Sequence, residues 1–292
     1  MRFGAHVSTG GSLAAAPERA RAIGAECLQV FVTNPRGWRA TTPSDAQIAA
    51  FRKSCADTGV EPYVHAMYLV NYGTDDADLR RRSAAALAHT MRVADELGVV
   101  GVVTHLGSHK LAGFDGALDR LCEGLAAGLA ASRDTLLLAE NSAGSGGTIG
   151  SSVEELGRIV DRLGAPGRLG VCLDTAHLLA AGHEIRTRAG LDALAAAFDA
   201  AVGLDRLKLL HLNDSKTDLG SRSDRHENIG DGYIGLDGFA QIVNHPALYG
   251  RPGVLEVPGL AGKGPDAGNL ARLRGLVRPA RTTGRPRHRT RA

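Results

Sequence analysis

Residues 169–177 read LGVCLDTAH, an apolar run that ends in an acid and passes directly into a helical pattern. The run predicts a buried strand over Leu169–Asp174, because short apolar runs bounded by cap or turn residues are typical of such strands. Asp174 and His177 lie three residues apart at the strand–helix junction, a spacing that lets both side chains face one site. Cys172 shares the face of Asp174 in a strand. A thiolate ligand is one interpretation of Cys172, and a buried apolar thiol is the commoner one.

The same kind of apolar run occurs eight times along the chain, with room for a helix between each pair. The predicted strands are Arg2–Val7, Cys27–Thr33, Pro62–Tyr68, Val99–His105, Thr135–Asn141, Leu169–Asp174, Leu207–Asn213 and Gly253–Val257. The stretches between them show helical periodicity, as in VEELGRIVDRLG at residues 153–164. Strands that alternate with helices pair in parallel through right-handed crossovers. Eight such units within about 250 residues predict an α/β protein with a closed (β/α)8 TIM barrel.

The carboxyl-terminal segment differs from the rest of the 292-residue chain. No linker precedes it, so the sequence predicts a single domain over residues 1–277. Residues 278–292 contain six arginines and no acid, and we expect a short disordered basic tail there. Without those six arginines the formal charge of the protein changes from +3 to −3. A negatively charged body repels nucleic acid, so either the partner is not a polyanion or cations bound in the site reverse the local field. The tail has two interpretations, non-specific affinity for nucleic acid or a solvated terminus.

Membrane and secreted classes are not expected. The sequence has no run of about 18 apolar residues, and it opens on MRFGAHVS without a basic and then apolar leader. The four cysteines are scattered without a CxxC pair, which argues against a zinc ribbon and against a disulfide framework. We therefore expect a cytoplasmic protein with reduced thiols.

Imidazole and carboxylate side chains collect at the carboxyl ends of the predicted strands. Asp224 and His226, two residues apart in the loop after the seventh strand, project from the same side of an extended segment and can reach one cation. The carboxyl ends of barrel strands meet at one rim, where such barrels place their chemistry. The sequence therefore predicts a metal site at this rim. Its nine candidate ligands are His65, His105, Glu140, Asp174, His177, His211, Asp224, His226 and Glu256.

With these residues in view, the chain resembles the endonuclease IV family of abasic-site DNA repair nucleases along essentially its whole length. The family's signature regions correspond to LAENSAGSGGTIG at 138–150, GVCLDTAHLLAAGHE at 170–184 and HLNDSKTDLGSRSDRHENIGDGYIG at 211–235. MRFGAHVSTGGSL at the amino end and LEVP at 255–258 agree with the family's opening and its last strand. Departures lie off the ligands, at Leu106, Val257, Pro35 and Gly37.

The resemblance implies a (β/α)8 barrel with three zinc ions. The sequence leaves open whether manganese partly replaces zinc. The resemblance assigns the first ion to His65, His105 and Glu140, and the third ion to His177, Asp224 and His226. The second ion falls to Glu140, Asp174, His211 and Glu256, so that Glu140 bridges two ions and acts with Glu256 as a catalytic residue. The implied reaction is hydrolysis of the phosphodiester 5′ to an abasic site, leaving a 3′-hydroxyl and a 5′-deoxyribose phosphate. Removal of 3′-blocking groups is a further expectation.

The resemblance also implies DNA contacts. Tyr68 and Leu69 resemble the family's intercalating loop, and Asn34 and Arg36 resemble its minor-groove loop. The alternatives are an aromatic ring packed on the rim for Tyr68 and a solvated loop charge for Arg36. The expected partner is double-stranded DNA that contains abasic sites. We expect the protein to bind it as a monomer, with no membrane association and no nucleotide cofactor.

GDGYIG at 230–235 has the spacing of a dinucleotide-binding motif. It follows a polar loop instead of a strand, which argues against such a site.

Two other functions compete with the nuclease. A divalent-metal sugar isomerase or epimerase also presents acids and histidines at successive strand ends, but it needs one or two metals, so the third set of His177, Asp224 and His226 argues for the nuclease. A catalytically silent binder of damaged DNA would be expected to have lost a ligand, and all nine are present. His6 and His109 lie near the rim as candidates for orienting ligands or phosphate.

Overall fold

A computed structural model describes residues 1–278 and contains a closed barrel of eight parallel strands, which confirms the predicted TIM barrel. The barrel strands are β1 (Phe3–His6), β2 (Cys27–Val30), β3 (Glu61–His65), β4 (Gly101–Thr104), β5 (Leu136–Glu140), β6 (Leu169–Asp174), β7 (Leu207–His211) and, after two short strands described below, β10 (Gly253–Leu255). Neighbouring strands in sequence pair in parallel, and the barrel closes where Phe3 of β1 pairs with Gly253 of β10.

Several predicted strands are longer than the observed ones at their carboxyl ends. The strand predicted over Pro62–Tyr68 is observed over Glu61–His65. One further hydrogen bond to the neighbouring strand follows it, from the backbone N–H of Ala66 to the carbonyl oxygen of Val103. Leu169–Asp174 is observed as predicted. The sequence did not predict a short antiparallel strand pair that follows β7. After β7, the two-residue strands β8 (Asp214–Ser215) and β9 (His226–Glu227) pair antiparallel above the rim.

Helices connect the strands on the outside of the barrel. They are α1 (Ala16–Ala22), α2 (Asp45–Thr58), α3 (Ala77–Leu97), α4 (Gly113–Ala130), α5 (Val153–Arg162), α6 (Thr175–Ala181), α7 (Arg188–Ala201), α8 (Gly235–Val243) and α9 (Ala267–Leu276), with 3-10 turns at Leu13–Ala15, Ser145–Gly147 and Leu204–Arg206. Local sequence sets their ends. Ser44 and Gln47 form a reciprocal capping box at the start of α2, and Gly59 ends that helix with a φ of 68°, a left-handed conformation that favours glycine.

The core has two parts. Large side chains such as Leu87, Met91 and Phe198 fill the space between the barrel and its helices. Inside the barrel, a separate apolar layer lies under the rim, and it contains Cys27, Tyr63, Val103, Leu138, Cys172, Leu209 and Val254. Burial raises the pKa of the Cys172 thiol to about 12. The structure thus places Cys172 in the apolar floor of the site.

Two further predictions concern membrane-spanning helices and the carboxyl-terminal tail. Across residues 1–278, no helix combines the length and the hydropathy that a membrane crossing requires. The predicted tail, 278–292, lies outside the described residues except for Arg278, whose backbone N–H donates to Asn244 at 2.7 Å.

Candidate metal centre

The nine predicted ligands come together at the carboxyl rim of the barrel. Four of them end a strand, because His65, Glu140, Asp174 and His211 are the last residues of β3, β5, β6 and β7. Donor atoms of eight of the nine, all except Asp224, form three groups, each with all members within 4.8 Å of one another. The groups are His65, His105 and Glu140; Glu140, Asp174, His211 and Glu256; and Asp174, His177 and His226.

Glu140 joins the first group to the second through its two oxygens. Oε2 lies 3.2 Å from Nε2 of His65 and 3.1 Å from Nε2 of His105. Oε1 lies 2.9 Å from Nδ1 of His211, and that nitrogen is 3.3 Å from Oε2 of Glu256. Since Glu140 is buried and its two oxygens face different groups, its carboxylate is placed to bridge two cations.

Asp224 stands over the third group. Its two oxygens lie 3.2 Å from Nε2 of His177 and 3.2 Å from Nε2 of His226. Asp174, which is fully buried, also faces the His226 ring, with Oδ2 3.6 Å from Nε2. Half of the Asp224 side chain is exposed, so this group opens toward solvent through Asp224.

Three of the imidazoles are oriented by backbone carbonyls. Nδ1 of His65 lies 2.6 Å from the oxygen of Ala66, and Nδ1 of His177 lies 2.9 Å from that of Asn141. Nδ1 of His226 is 3.5 Å from the carbonyl of Glu256. These contacts place the proton on Nδ1 and leave Nε2 as the ligand atom, the arrangement in which metal-binding histidines are usually held.

The buried ring nitrogens provide a test of whether a cation fits. Nε2 of His177 and Nε2 of His226 are buried, and although each lies 3.2 Å from an oxygen of Asp224, neither makes a contact with hydrogen-bond geometry among residues 1–278. A buried polar atom without a partner is costly, unless something outside the protein chain satisfies it. Both atoms face the carboxylates of Asp174 and Asp224. Imidazole nitrogen with carboxylate oxygen is a donor set that zinc accepts.

The electrostatics of the site agree with this fit. Burial acts to lower the pKa of His177, but the attraction of Asp174 and Asp224 outweighs it and raises the pKa to about 10. The pKa of His226 is raised to about 9, because Asp174 and Asp224 overcome the same effect of burial. Burial pushes the pKa of Glu140 upward, yet the neighbouring imidazoles hold it well below its ordinary range. The carboxylates therefore require positive charge beside them, which protons or metal ions supply.

Sequence reasoning missed the buried amides that support the ligands. Asn213 Nδ2 donates to Oδ2 of Asp174 at 2.6 Å, and its Oδ1 accepts from the backbone N–H of Glu256 at 2.7 Å. Gln29, on β2, contacts both Glu256 and His211. The available signal was a polar residue at a buried position within an apolar run, as Gln29 is in Cys27–Thr33.

Asp214 is a second feature that the sequence did not reveal. Its buried carboxylate accepts hydrogen bonds from five backbone N–H groups, at 2.8 to 3.2 Å, donated by Ser215, Gly230, Gly232, Ile234 and Gly235. Those donors lie at the two ends of the loop that carries Asp224 and His226. Asp214 therefore closes this loop at its base and fixes the positions of the two predicted ligands.

Comparison with known proteins places the chain in a family. A family model described as a xylose isomerase-like TIM barrel matches residues 17–274. The probable endonuclease 4 of Methanoculleus marisnigri is 42% identical over 277 residues, which are 94% of this chain and 98% of that protein. The chain belongs to the endonuclease IV family. The probable endonuclease 4 of Chlorobium phaeobacteroides is 41% identical over 263 residues, 88% of this chain and 93% of that protein.

Solved structures agree with this membership. Endonuclease IV from Thermus thermophilus is 37% identical, covers 94% of this chain and 98% of its own, and has a TM-score of 0.83. This family member is therefore an endonuclease. A D-tagatose 3-epimerase-like protein, at 18% identity and a TM-score of 0.73 over 94% of this chain and 97% of its own, shares the fold.

The residues predicted to contact DNA lie on two rim loops, one of which borders the candidate metal centre. Tyr68 is 45% exposed, and the centroid of its ring lies 5.1 Å from that of Phe31 and 5.9 Å from that of His105. Leu69 is partly buried against the core. Tyr68 also forms one wall of a cavity of about 240 Å³ beside the first and third groups, whose lining includes Asn71, Ser108, Ser142, His177 and Asp224.

The loop after β2 lies next to Tyr68. The backbone N–H of Tyr68 donates to the oxygen of Pro35 at 3.0 Å, which joins the two loops. In this loop, Oδ1 of Asn34 accepts from the backbone N–H of Arg36 at 3.0 Å, and both side chains are exposed. The predicted intercalating and minor-groove residues therefore occupy one continuous stretch of the rim.

The two histidines that we considered as supporting residues differ. Nδ1 of His6 lies 3.2 Å from Oε1 of Glu256, so His6 touches a predicted ligand. Burial lowers the pKa of His6, which favours a neutral ring. His109 instead contacts its own loop, with Nδ1 3.0 Å from the oxygen of Lys110. Of the two, His6 is the one placed to orient a ligand.

Proposed function

We propose that this protein is a zinc-dependent DNA repair endonuclease that hydrolyses the phosphodiester 5′ to an abasic site, leaving a 3′-hydroxyl and a 5′-deoxyribose phosphate. The observation that supports this proposal best is the joining of three donor groups into one centre, through the two oxygens of Glu140 and through Asp174. A single-metal or two-metal enzyme has no need of the third group.

The residues divide among three zinc sites in this proposal. His65, His105 and Glu140 hold the first ion, and Glu140, Asp174, His211 and Glu256 hold the second. His177, Asp224 and His226 hold the third, with Asp174 near enough to contribute. Bound zinc lowers the pKa of a coordinated water toward neutrality and stabilises negative charge on the attacked phosphate, and manganese is a partial substitute.

The protein's own residues perform the remaining work. Glu140 and Glu256 hold their carboxylates at the centre of the site, and burial beneath the rim excludes bulk water from Glu140. No side-chain nucleophile is required, because water attacks the phosphorus. The half-exposed position of Asp224 leaves the third group open to a phosphate that approaches from solvent. The exposed side of the centre is therefore where the scissile phosphate binds.

Lesion recognition is assigned to the rim loops. Tyr68 and Leu69 fill the gap left by the missing base, and Asn34 with Arg36 contacts the minor groove. Turning an abasic sugar out of the helix costs less than flipping an intact nucleotide, since no base has to be unstacked. The cavity beside Tyr68 is polar on the side of Ser108 and Ser142, as a site for a sugar phosphate requires.

The decisive experiment uses a 5′-labelled duplex with one tetrahydrofuran abasic analogue. We expect a single cut on the 5′ side of the analogue, with a 3′-hydroxyl on the upstream product that a polymerase extends without further treatment. An identical duplex without the lesion is the matched control and should stay intact. A duplex nicked with a 3′-phosphate tests removal of 3′-blocking groups. Absence of incision, together with interconversion of ketohexoses by the zinc- or manganese-loaded protein, would favour the sugar epimerase instead.

A further inference from the structure

Gln29 has a buried side chain at the centre of the site, although it is not one of the nine ligands. It lies on β2, within a run of four buried residues, and its side chain is completely inaccessible to solvent. Its Oε1 is 3.0 Å from Nε2 of His211, and its Nε2 is 2.7 Å from Oε1 of Glu256. The same nitrogen is 3.0 Å from Nδ1 of His6.

These contacts fix which way the amide points. Its NH2 group donates to the Glu256 carboxylate, which accepts only, so the amide oxygen must be the atom that faces His211. The reversed amide would place its oxygen against the carboxylate of Glu256 and its NH2 against His211. The oxygen of Gln29 therefore accepts from Nε2–H of His211, and the proton of that ring belongs on Nε2.

His211 is held differently from three other predicted histidine ligands of this site. His65, His177 and His226 are held at Nδ1 by backbone carbonyls and present Nε2 to the other donors. His211 does the opposite, since its Nδ1 faces Glu140 and Glu256. The partner of Nε2 of His211 is the side-chain amide of Gln29, whereas the other three rings are held by backbone carbonyls.

Glu256 is oriented by the same amide. Its Oε1 receives the N–H of Gln29 and lies beside His6, while Oε2 faces Nδ1 of His211. Gln29 thus separates the two oxygens of Glu256 into one that is hydrogen-bonded and one that is free to bind a cation.

We propose that Gln29 is the positioning residue of the second metal site, which fixes His211 in the Nε2–H tautomer and presents Oε2 of Glu256. This inference rests on the proposed assignment of His211 and Glu256 to a bound zinc ion. Outer partners of metal ligands commonly change metal affinity by about 10- to 100-fold when they are removed. We expect a loss of that size at the second site alone.

The test compares Gln29→Met, which keeps the length of the side chain without its hydrogen bonds, with Gln241→Met on α8 outside the barrel. Zinc content is measured after dialysis against a graded series of a competing chelator. Wild type and Gln241→Met should retain three ions at a chelator concentration that leaves about two in Gln29→Met. Equal retention by the two methionine variants would overturn the inference. A wild type that never binds zinc at His211 would instead contradict the proposed function.

A second measurement separates positioning from a general loss of packing. Nitrogen-15 spectra of the zinc-loaded protein report which imidazole nitrogen of His211 carries the proton. Wild type and Gln29→Glu, whose carboxylate still accepts from Nε2–H, should show the Nε2–H signature. Gln29→Met leaves the ring free to turn, so a fraction of His211 should bind zinc through Nε2 and carry its proton on Nδ1. Retention of the signature in Gln29→Met, or its loss in Gln29→Glu, would contradict the role proposed for Gln29.

Discussion

The backbone N–H of His177 donates to Oδ1 of Asp174 at 2.9 Å, so the acid that ends β6 also caps α6, the helix that carries His177. The other oxygen of Asp174 faces His226 and accepts from Asn213. One carboxylate therefore caps a helix with one oxygen and faces the candidate metal centre with the other. Because capping fixes the first turn of α6, the distance between Asp174 and His177 is set by local structure before any metal binds.

The first prediction concerns metal content. Protein purified without a chelator should contain about three zinc ions per chain, because three donor groups are present and each has at least three ligand atoms. Elemental analysis by mass spectrometry measures this directly. Full incision activity with only one bound ion would refute the three-metal assignment and favour a sugar epimerase or isomerase.

The raised pKa values predict proton release when zinc binds. With the pKa of His177 at about 10 and that of His226 at about 9, both rings are protonated at pH 7.5 in the metal-free protein. A ring binds zinc only after its proton leaves, so loading should release at least about two protons per chain. Calorimetric titrations in buffers of different ionisation enthalpy count these protons. A heat that is independent of the buffer would contradict the protonated state of the two rings.

Stability of the metal-free protein should change with pH for the same reason. Both folded pKa values lie above the unfolded value of about 6.5. The stabilisation is therefore complete below about pH 6.5, and it is lost as pH rises through 9 and 10. The melting temperature of chelator-treated protein should fall between pH 7 and pH 10, while that of zinc-loaded protein should change less. A melting temperature that rises with pH over this range would show that the ion pairs do not form.

Replacing Asp214 should loosen the loop that carries Asp224 and His226. Asp214→Asn keeps the size of the side chain but puts an NH2 group among five backbone donors, which leaves some of them without an acceptor. We expect a loss of about 2 kcal/mol in the free energy of unfolding, within the range for orphaned buried donors. Urea titration at a fixed zinc concentration measures it. Asp237→Asn, at an exposed position of α8, is the control and should cost far less.

The barrel and the donor set were predictable because both depend on short-range patterns. The continuous apolar run Leu169–Asp174 ends in a capping acid, and its observed bounds equal the predicted ones. Other parts depend on contacts between distant segments. The β8–β9 hairpin forms because Asp214 gathers backbone donors from 16 to 21 residues away, which leaves no periodic signal. Gln29 is one polar residue in an apolar run, and only the closed barrel brings it to His211, 182 residues later.

Tyr68 should matter for the lesion and little for undamaged DNA. If its ring fills the space of the missing base, Tyr68→Ala should weaken binding of abasic duplex by about 1–3 kcal/mol, the scale of a lost stacking contact. Arg36→Ala should weaken both duplexes together, because phosphate contacts do not depend on the lesion. The ratio of the two dissociation constants at one salt concentration distinguishes these cases. Tyr249→Ala, which removes an exposed ring between α8 and β10, is the control. If the ratio for Tyr68→Ala matches that control, Tyr68 only packs on the rim.

Glu140 would hold two metal ions with its two oxygens in the proposed mechanism, and single-turnover incision by Glu140→Gln is the sharpest test of that role. A neutral amide cannot bridge two cations as a carboxylate does, whereas the loops that grip the duplex are unchanged. The variant should cut an abasic duplex at least about a hundredfold more slowly than wild type, the scale for removing an electrostatic element of the transition state. Its dissociation constant for that duplex should change far less, and Glu154→Gln on the exposed face of α5 should behave as wild type. An unchanged incision rate in Glu140→Gln would show that Glu140 does not hold the metal ions that the reaction needs.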